Sequence, residues 1–286
     1  MSTSTSGALR TDDHTGLRTF VVDSRQDRPN LPAAGCPFCP GGLEAPEGYD
    51  VRWFANRWPA MPDERCEVVL YTSDHDATFW SLGADGARRV IDLWAERSAT
   101  LGARPDVEYV LVFENRGPEV GATIAHPHGQ IYAFDFVPDE ALRELLRGEQ
   151  LGEPGDRLVA EAPGWRAWVP EAPVFPYAMR LVPDAPVPNL PSLDGPGRDG
   201  LAALLVDVLE RLDRLFDAET PYMLWMHQRP FDGGDWPDAR LHVEIVTPWR
   251  AAGVMRYVAA GELGSGVYFN PVSPESAAQA LRAAVE

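Results

Sequence analysis

The chain has no lysine: all 25 of its cationic side chains are arginine, set against 43 carboxylates, for a formal charge of −18. That absence excludes Schiff-base chemistry, a lysine-bearing phosphate loop and a lysine general base. The shortage of positive charge argues against a general nucleic-acid binder, which needs a basic face. An anionic substrate is admissible only if local arginines, metal ions and backbone donors hold it against the overall field. Cysteine is scarce too. Three thiols, Cys36, Cys39 and Cys66, are too few, and odd in number, for a disulfide framework. No apolar run approaches the ~18 residues of a membrane span. The polar start, MSTSTSGALRTDDHTG, lacks the apolar stretch of a secretory signal. These absences predict a reduced, cytoplasmic protein with no membrane and no nucleic-acid partner. Arginine-only usage beside abundant alanine, glycine and proline reads most simply as GC-rich coding bias.

What is present has a repeated order. Residues 1–12 read as loose, followed by a strand at Arg18–Asp23 and a Pro/Gly-rich stretch containing CPFC. β-Branched and apolar runs predict strands at Cys66–Tyr71, Val107–Phe113 and Gln130–Phe134. Val90, Leu93, Trp94 and Leu101 recur at helical spacing and predict a long helix over Gly83–Ala103. A shorter helix follows PDEALRELLRG, with Pro138 near its first position. The second half has strands at Tyr177–Val182, Pro221–Met226 and His242–Val246, with a long helix over Asp199–Ala218. Each half therefore runs strand, long helix, strand, loop, strand, and the closing strands begin alike, His128-Gly-Gln-Ile and His242-Val-Glu-Ile. Strands and helices do not alternate strictly, which predicts an α+β fold with a largely antiparallel sheet, in two halves at 1–150 and 151–286.

Six histidines are available for chemistry. Two stand in AHPHGQ, where extended backbone would put His126 and His128 on one face. Imidazole attacks phosphorus and leaves again, so His128 suits a double displacement of a nucleotidyl group. Gly129 would let a phosphate approach closely, and Gln130 could donate to a phosphoryl oxygen. A metal-binding pair or a structural turn would explain H-x-H as well. Cys36 and Cys39 are spaced to clip one Zn²⁺, with His75 and His126 as the candidate third and fourth ligands. A redox dithiol is the alternative, but no thioredoxin-like βαβ context surrounds it. Glu144, His227, His242 and Glu244 form a looser set of nitrogen and oxygen donors suited to a second ion, iron or zinc. Ordinary hydrogen bonding within a sheet is the competing account. Arg25, Arg28, Asn56 and Asn115 are polar groups among aromatic, Gly and Pro residues that suit phosphate or sugar contacts, although solvated loops would hold them equally well. GPGRDG (195–200) has G-x-G-x-x-G spacing but follows a Pro-rich linker rather than a strand, and reads as a loop.

Together these residues resemble the galactose-1-phosphate uridylyltransferase family of the histidine triad superfamily. The resemblance runs in order through R-x-D-D-x-T-G from Arg10, R-Q-D-R-P from Arg25, C-P-F-C, F-A-N, S-D-H-D, F-E-N-R-G, G-A-T-I-A-H-P-H-G-Q-I-Y-A, F-P-Y-A, H-Q-R-P and L-H-V-E-I. It implies a histidine-triad-like fold of two related halves, forming a largely antiparallel sheet flanked by helices. It implies that His128 takes uridylyl from UDP-glucose and passes it to a hexose 1-phosphate. Gln130 and Thr123 would steady the phosphoryl oxygens, and Asn115 would help bind the nucleotide-sugar. Cys36, Cys39, His75 and His126 would hold a structural zinc, and Glu144, His227, His242 and Glu244 would match a second metal site. Arg256 and Glu262 would stand in a sugar-binding segment where relatives commonly carry a lysine. A homodimer would complete the sugar site. A phosphorylase or transferase acting on ADP- or GDP-sugars, a sugar-ring mutase, and a non-catalytic zinc-stabilised nucleotide-binding module are the alternatives.

Overall fold

The computed structural model describes residues 7–23, 35–148 and 151–285. Arg25 and Arg28 fall outside these residues. A small hairpin comes first, β1 (Ala8–Thr11) against β2 (Arg18–Val21), so part of the stretch expected to be loose is paired. Arg18 ties the hairpin down. Its guanidinium donates to Val137 O at 3.0 Å, pairs with Asp139, and lies 4.0 Å over the Phe136 ring.

The main sheet comprises β3 (Arg52–Ala55), β4 (Cys66–Leu70), β5 (Tyr109–Arg116), β6 (His128–Phe134), β7 (Leu158–Ala162), β8 (Trp165–Trp168), β9 (Met179–Pro183), β10 (Tyr222–His227) and β11 (His242–Val246). Its order is β3-β4-β6-β5-β10-β11-β9-β8-β7, and every neighbouring pair is antiparallel. Outward from the central β5–β10 seam, one side reads β5-β6-β4-β3 and the other β10-β11-β9-β8, with β7 added at the rim. On each side a long helix carries the chain from the third strand to the first: α1 (Gly83–Gly102) links β4 to β5, and α3 (Gly195–Phe216) links β9 to β10. This is the repeated order expected from the sequence, in an α+β fold. A second hairpin, β12 (Trp249–Ala251) with β13 (Val254–Met255), and the helices α2 (Asp139–Leu145), α4 (Ala260–Ser265) and α5 (Pro274–Ala283) complete the described chain.

Helix packing makes the two sheet faces different. On α3, Leu201, Leu204, Leu205, Val208, Leu209 and Leu212 follow helical spacing and are all buried. They meet the alternate strand residues Leu224, Met226, Val243 and Ile245 in one core with Val90, Ile91 and Trp94 of α1. The Trp94 ring stacks on Phe79 at 5.8 Å and meets the edge of Tyr71 at 5.6 Å. On β5 and β6 the alternate positions Phe113, Asn115, His128 and Gln130 face away from this core and are half-buried.

Several boundaries differ from expectation. α3 starts at Gly195, so GPGRDG is its opening turn rather than a loop. Asp194 Oδ1 accepts the Gly197 N–H at 2.8 Å, and Pro196 costs nothing where helical N–H groups have no partner. A Cβ at Gly200 would lie 2.1 Å from Pro163 O, so that glycine serves close packing. β5 continues to Arg116, which puts Asn115 on a strand and not in the following loop. Pro138 is the cap preceding α2 rather than its first residue. Among the described helices, none is long and apolar enough to cross a membrane.

Candidate active site

β6 begins at His128, where the sequence predicts its first residue at Gln130. His126 precedes the strand, so pleat alternation does not set its direction. His128 Nδ1 donates to His126 O at 2.8 Å, which places the imidazole lone pair on Nε2. Leu70 of β4 pairs with His128, and Gln130 pairs with Phe113 of β5. Asn56, just past β3, donates from Nδ2 to Gln130 Oε1 at 3.4 Å and accepts the Trp58 N–H at 2.9 Å. The Gln130 carbonyl is thereby engaged, and its amide nitrogen remains the donor end. Asn115 shares this sheet face, and Thr123 is half-buried in the loop leading to His126. Gly129 behaves differently from expectation. It is buried on the helix side of the sheet, and a Cβ there would lie 2.1 Å from the Tyr71 hydroxyl, so its bareness admits a tyrosine rather than a phosphate.

Cys36, Cys39, His75 and His126 converge, each with a donor atom within 4.8 Å of the others. Cys39 Sγ lies 3.4 Å from His75 Nδ1 and 3.7 Å from His126 Nδ1. Donors about 2.0–2.3 Å from a tetrahedral ion stand roughly 3.5 Å apart, so these separations fit Zn²⁺. His126 Nε2 donates to Thr72 O at 2.8 Å, and the Tyr49 hydroxyl, 2.9 Å from the same nitrogen, donates to Phe38 O at 2.6 Å. Burial holds the His126 pKa below its usual range, leaving a neutral ring. Burial and the neighbouring Cys36 thiol push Cys39 up, a penalty that a bound cation would reverse. Between the two cysteines, Phe38 sets its ring 5.1 Å from that of His128. A filled metal clip would therefore press an aromatic edge against His128.

Glu144, His227 and His242 form the second convergence. The imidazoles stack at 5.0 Å, and Glu144 Oε2 lies 3.0 Å from His227 Nδ1 and 3.3 Å from His242 Nε2. Burial drives the His227 pKa down to about 4. His242 Nδ1 donates to Arg240 O at 3.0 Å, the same bond to the residue two back that His128 makes at the equivalent strand start. Glu244 lies at the edge of this group: its Oε1 is 4.0 Å from His242 Nε2 and accepts from Arg180 Nε at 2.5 Å. Trp225 Nε1 donates to His227 Nε2 at 2.7 Å, which keeps the His227 proton on Nδ1, toward Glu144. His227 Nδ1 and His242 Nε2 both point at Glu144 Oε2, yet each is buried without a hydrogen bond of ordinary geometry among the described residues, the condition of nitrogens that a cation would satisfy; ligation through His227 Nδ1 requires its proton to leave. The set offers three converging donors, one fewer than the cysteine site.

Family models describe both parts of this arrangement. The galactose-1-phosphate uridyl transferase N-terminal domain matches residues 56–138 and the C-terminal domain matches residues 124–285. The chain belongs to the galactose-1-phosphate uridylyltransferase family. Galactose-1-phosphate uridylyltransferase of Thermotoga maritima is 34% identical, covering 96% of this chain and 97% of its own. That of Streptomyces lividans is 37% identical over 88% of this chain and 79% of its own. A solved uridylyltransferase structure superposes with a TM-score of 0.87 at 28% identity, covering 97% of this chain and 98% of that one. An ADP-glucose phosphorylase from Arabidopsis thaliana, at 22% identity and a TM-score of 0.76, has the same fold.

Within this family framework, Arg256 and Glu262 are buried against each other in a direct ion pair. Glu262 also accepts the Phe269 and Ala259 N–H groups, each at 2.9 Å, so the pair closes the 256–269 segment on itself. Sequence reasoning missed Phe38, Tyr49, Tyr71, Glu114 and Arg180. Phe38 was signalled by its place inside C-P-F-C. The others resemble core or surface residues until their partners are known.

Proposed function

We propose that the chain is a UDP-glucose–hexose-1-phosphate uridylyltransferase working by double displacement through His128. The 2.8 Å bond from His128 Nδ1 to His126 O carries this reading, because it fixes the tautomer whose Nε2 is the nucleophile. Nε2 attacks the α-phosphorus of UDP-glucose, the bond to the bridging oxygen breaks, and glucose 1-phosphate leaves. A phosphate oxygen of the hexose 1-phosphate then attacks the uridylyl-histidine and restores the imidazole. The Gln130 amide nitrogen, with its carbonyl already held by Asn56, would donate to the phosphoryl oxygens together with Thr123. Asn56, Asn115, Arg25 and Arg28 would contact the nucleotide-sugar. The mutual pairing of Arg256 and Glu262 supports a role in shaping the acceptor segment.

We assign a structural zinc to Cys36, Cys39, His75 and His126, where it would hold Phe38 against His128. The reduced thiols it needs go with a reducing compartment such as the cytoplasm. Iron or zinc at Glu144, His227 and His242 would be a weaker second ion. A homodimer is supported by the exposed apolar side chains of Tyr257, Leu263, Val267 and Phe269 along one segment.

UDP-glucose alone should add one UMP to the wild-type chain and release glucose 1-phosphate. His128→Ala should form no adduct and lower turnover to on the order of a thousandth or less. An unmodified wild-type protein together with full activity in His128→Ala would refute the reading.

A further inference from the structure

A buried polar row lies behind His128, on the helix side of the sheet where Val110, Val112, Ile131 and Ala133 are apolar core. Glu114, on β5, is the one carboxylate among those described positions of β5 and β6, and it is 4% exposed. Its Oε1 accepts the Tyr222 hydroxyl at 2.6 Å. Its Oε2 faces the Tyr71 hydroxyl in the same buried space, and neither atom has any other hydrogen-bond partner among the described residues. Left apart, a buried carboxyl oxygen and a buried hydroxyl would each be costly, so each ties down the other. Burial lifts the Glu114 pKa to about 7, against the lowering influence of the two tyrosines and Arg116.

Tyr71 encloses the His128 segment from two sides. Its backbone N–H donates to Pro127 O at 3.3 Å. Its hydroxyl occupies the space left by the missing Gly129 side chain, so close that a Cβ there would be 2.1 Å away. Phe79 and Trp94, at 5.4 and 5.6 Å, hold the ring edge-on and prevent it from swinging aside. The His128 backbone therefore rests on one phenol oxygen, and that oxygen faces one carboxyl.

We propose that Tyr71 and Glu114 are positioning residues for the uridylyl transfer: the carboxyl holds the Tyr71 hydroxyl, the hydroxyl sets the depth of the Gly129 backbone, and the backbone aims His128 Nε2. This rests on His128 being the nucleophile. Neither residue touches substrate, so the effect belongs in the chemical step and not in binding.

The test uses the full chain with its metal and measures single-turnover release of glucose 1-phosphate from UDP-glucose. Tyr71→Phe and Glu114→Gln should each slow that step roughly tenfold, equivalent to about 1.4 kcal/mol of barrier, with KM within about twofold of wild type. Gly129→Ala should be slower still, and adding Tyr71→Phe to it should speed the reaction, because removing the hydroxyl makes room for the new methyl. The Tyr71→Phe/Glu114→Gln double variant should be no slower than the slower single variant, since both interrupt one chain of contacts. Wild-type rates in the single variants, additive losses in that double variant, or no rescue of Gly129→Ala would each overturn the proposal. If Gly129→Ala does not fold, the other two comparisons decide. If wild-type protein forms no uridylyl adduct, the functional reading has failed, and ¹⁵N resonances of the His128 imidazole decide this inference separately. A single Nδ1–H tautomer in wild type that becomes mixed in Tyr71→Phe supports it, and identical spectra overturn it.

Discussion

Glu114→Gln should change how stability depends on pH. In the fold, burial raises the Glu114 pKa from 4.5 to about 7. The folded chain therefore binds this proton more tightly than the unfolded chain does. Stability from this group is complete below about pH 4.5 and is lost as pH rises through 7. At about 1.4 kcal/mol for each tenfold change in proton affinity, the loss amounts to about 3 kcal/mol. His227 works in the opposite direction. Its folded pKa is lowered from 6.5 to about 4, so its contribution grows as pH rises between those values. The two effects nearly cancel between pH 5 and 6.5, and wild-type stability should dip by less than about 1 kcal/mol near pH 7 and then level off. Glu114→Gln keeps the shape but cannot ionise, so it should gain stability up to about pH 6.5 and then level off. Urea unfolding at half-unit steps from pH 5 to 8 gives both curves. Any constant cost of the amide drops out, because the diagnostic quantity is the change in their difference, about 2.5 kcal/mol from pH 5 to 8. Parallel curves would refute both the burial argument and the neutral carboxyl behind His128.

Elemental analysis should find one tightly bound zinc per chain. Cys39→Ser should lose it and also slow His128 uridylylation, because Phe38 is no longer clamped 5.1 Å from the imidazole; zinc retained at full stoichiometry in the variant would contradict the ligand assignment. Arg97 makes two hydrogen bonds to buried Glu67, at 3.0 and 2.7 Å, and stacks 3.5 Å over Trp53. Arg97→Ala strands that carboxylate and should cost about 3–5 kcal/mol in denaturant unfolding, whereas Arg97→Met with Glu67→Gln should recover most of it. A loss below about 1 kcal/mol in the single variant would show that water reaches Glu67.

The parts of the site legible in the sequence were those whose chemistry is written locally. Cys36 and Cys39 have only two residues between them, and His128 and Gln130 share one strand face, so spacing alone sets their separation. The repeated strand–helix–strand order was readable for a similar reason, because apolar periodicity on α1 and α3 is a local property. What the sequence hid depends on partners distant in the chain. Glu244 reads as a ligand beside His242 until Arg180, 64 residues away, claims it. Arg256 and Glu262 read as charges offered to a substrate until each is seen to neutralise the other. Gly129 reads as space for a phosphate because nothing nearby in the sequence points to the Tyr71 hydroxyl that fills it. GPGRDG reads as a loop because glycines mask a helix start that depends on Asp194 and on contact with Pro163.

The β5–β10 seam has a mechanical consequence. Tyr222 through Trp225 pair with Arg116 through Phe113, and one buried core, crossed only by the Glu114–Tyr222 pair, joins the two sides beneath them. Heat or denaturant should therefore melt the main sheet in a single cooperative step, with no hinge for one side to swing on. Cutting the gene at this seam would leave each fragment with a long, bare, apolar strand edge, the kind of surface that drives aggregation. The two fragments should stay soluble only when produced together, each acting as the other's edge cap.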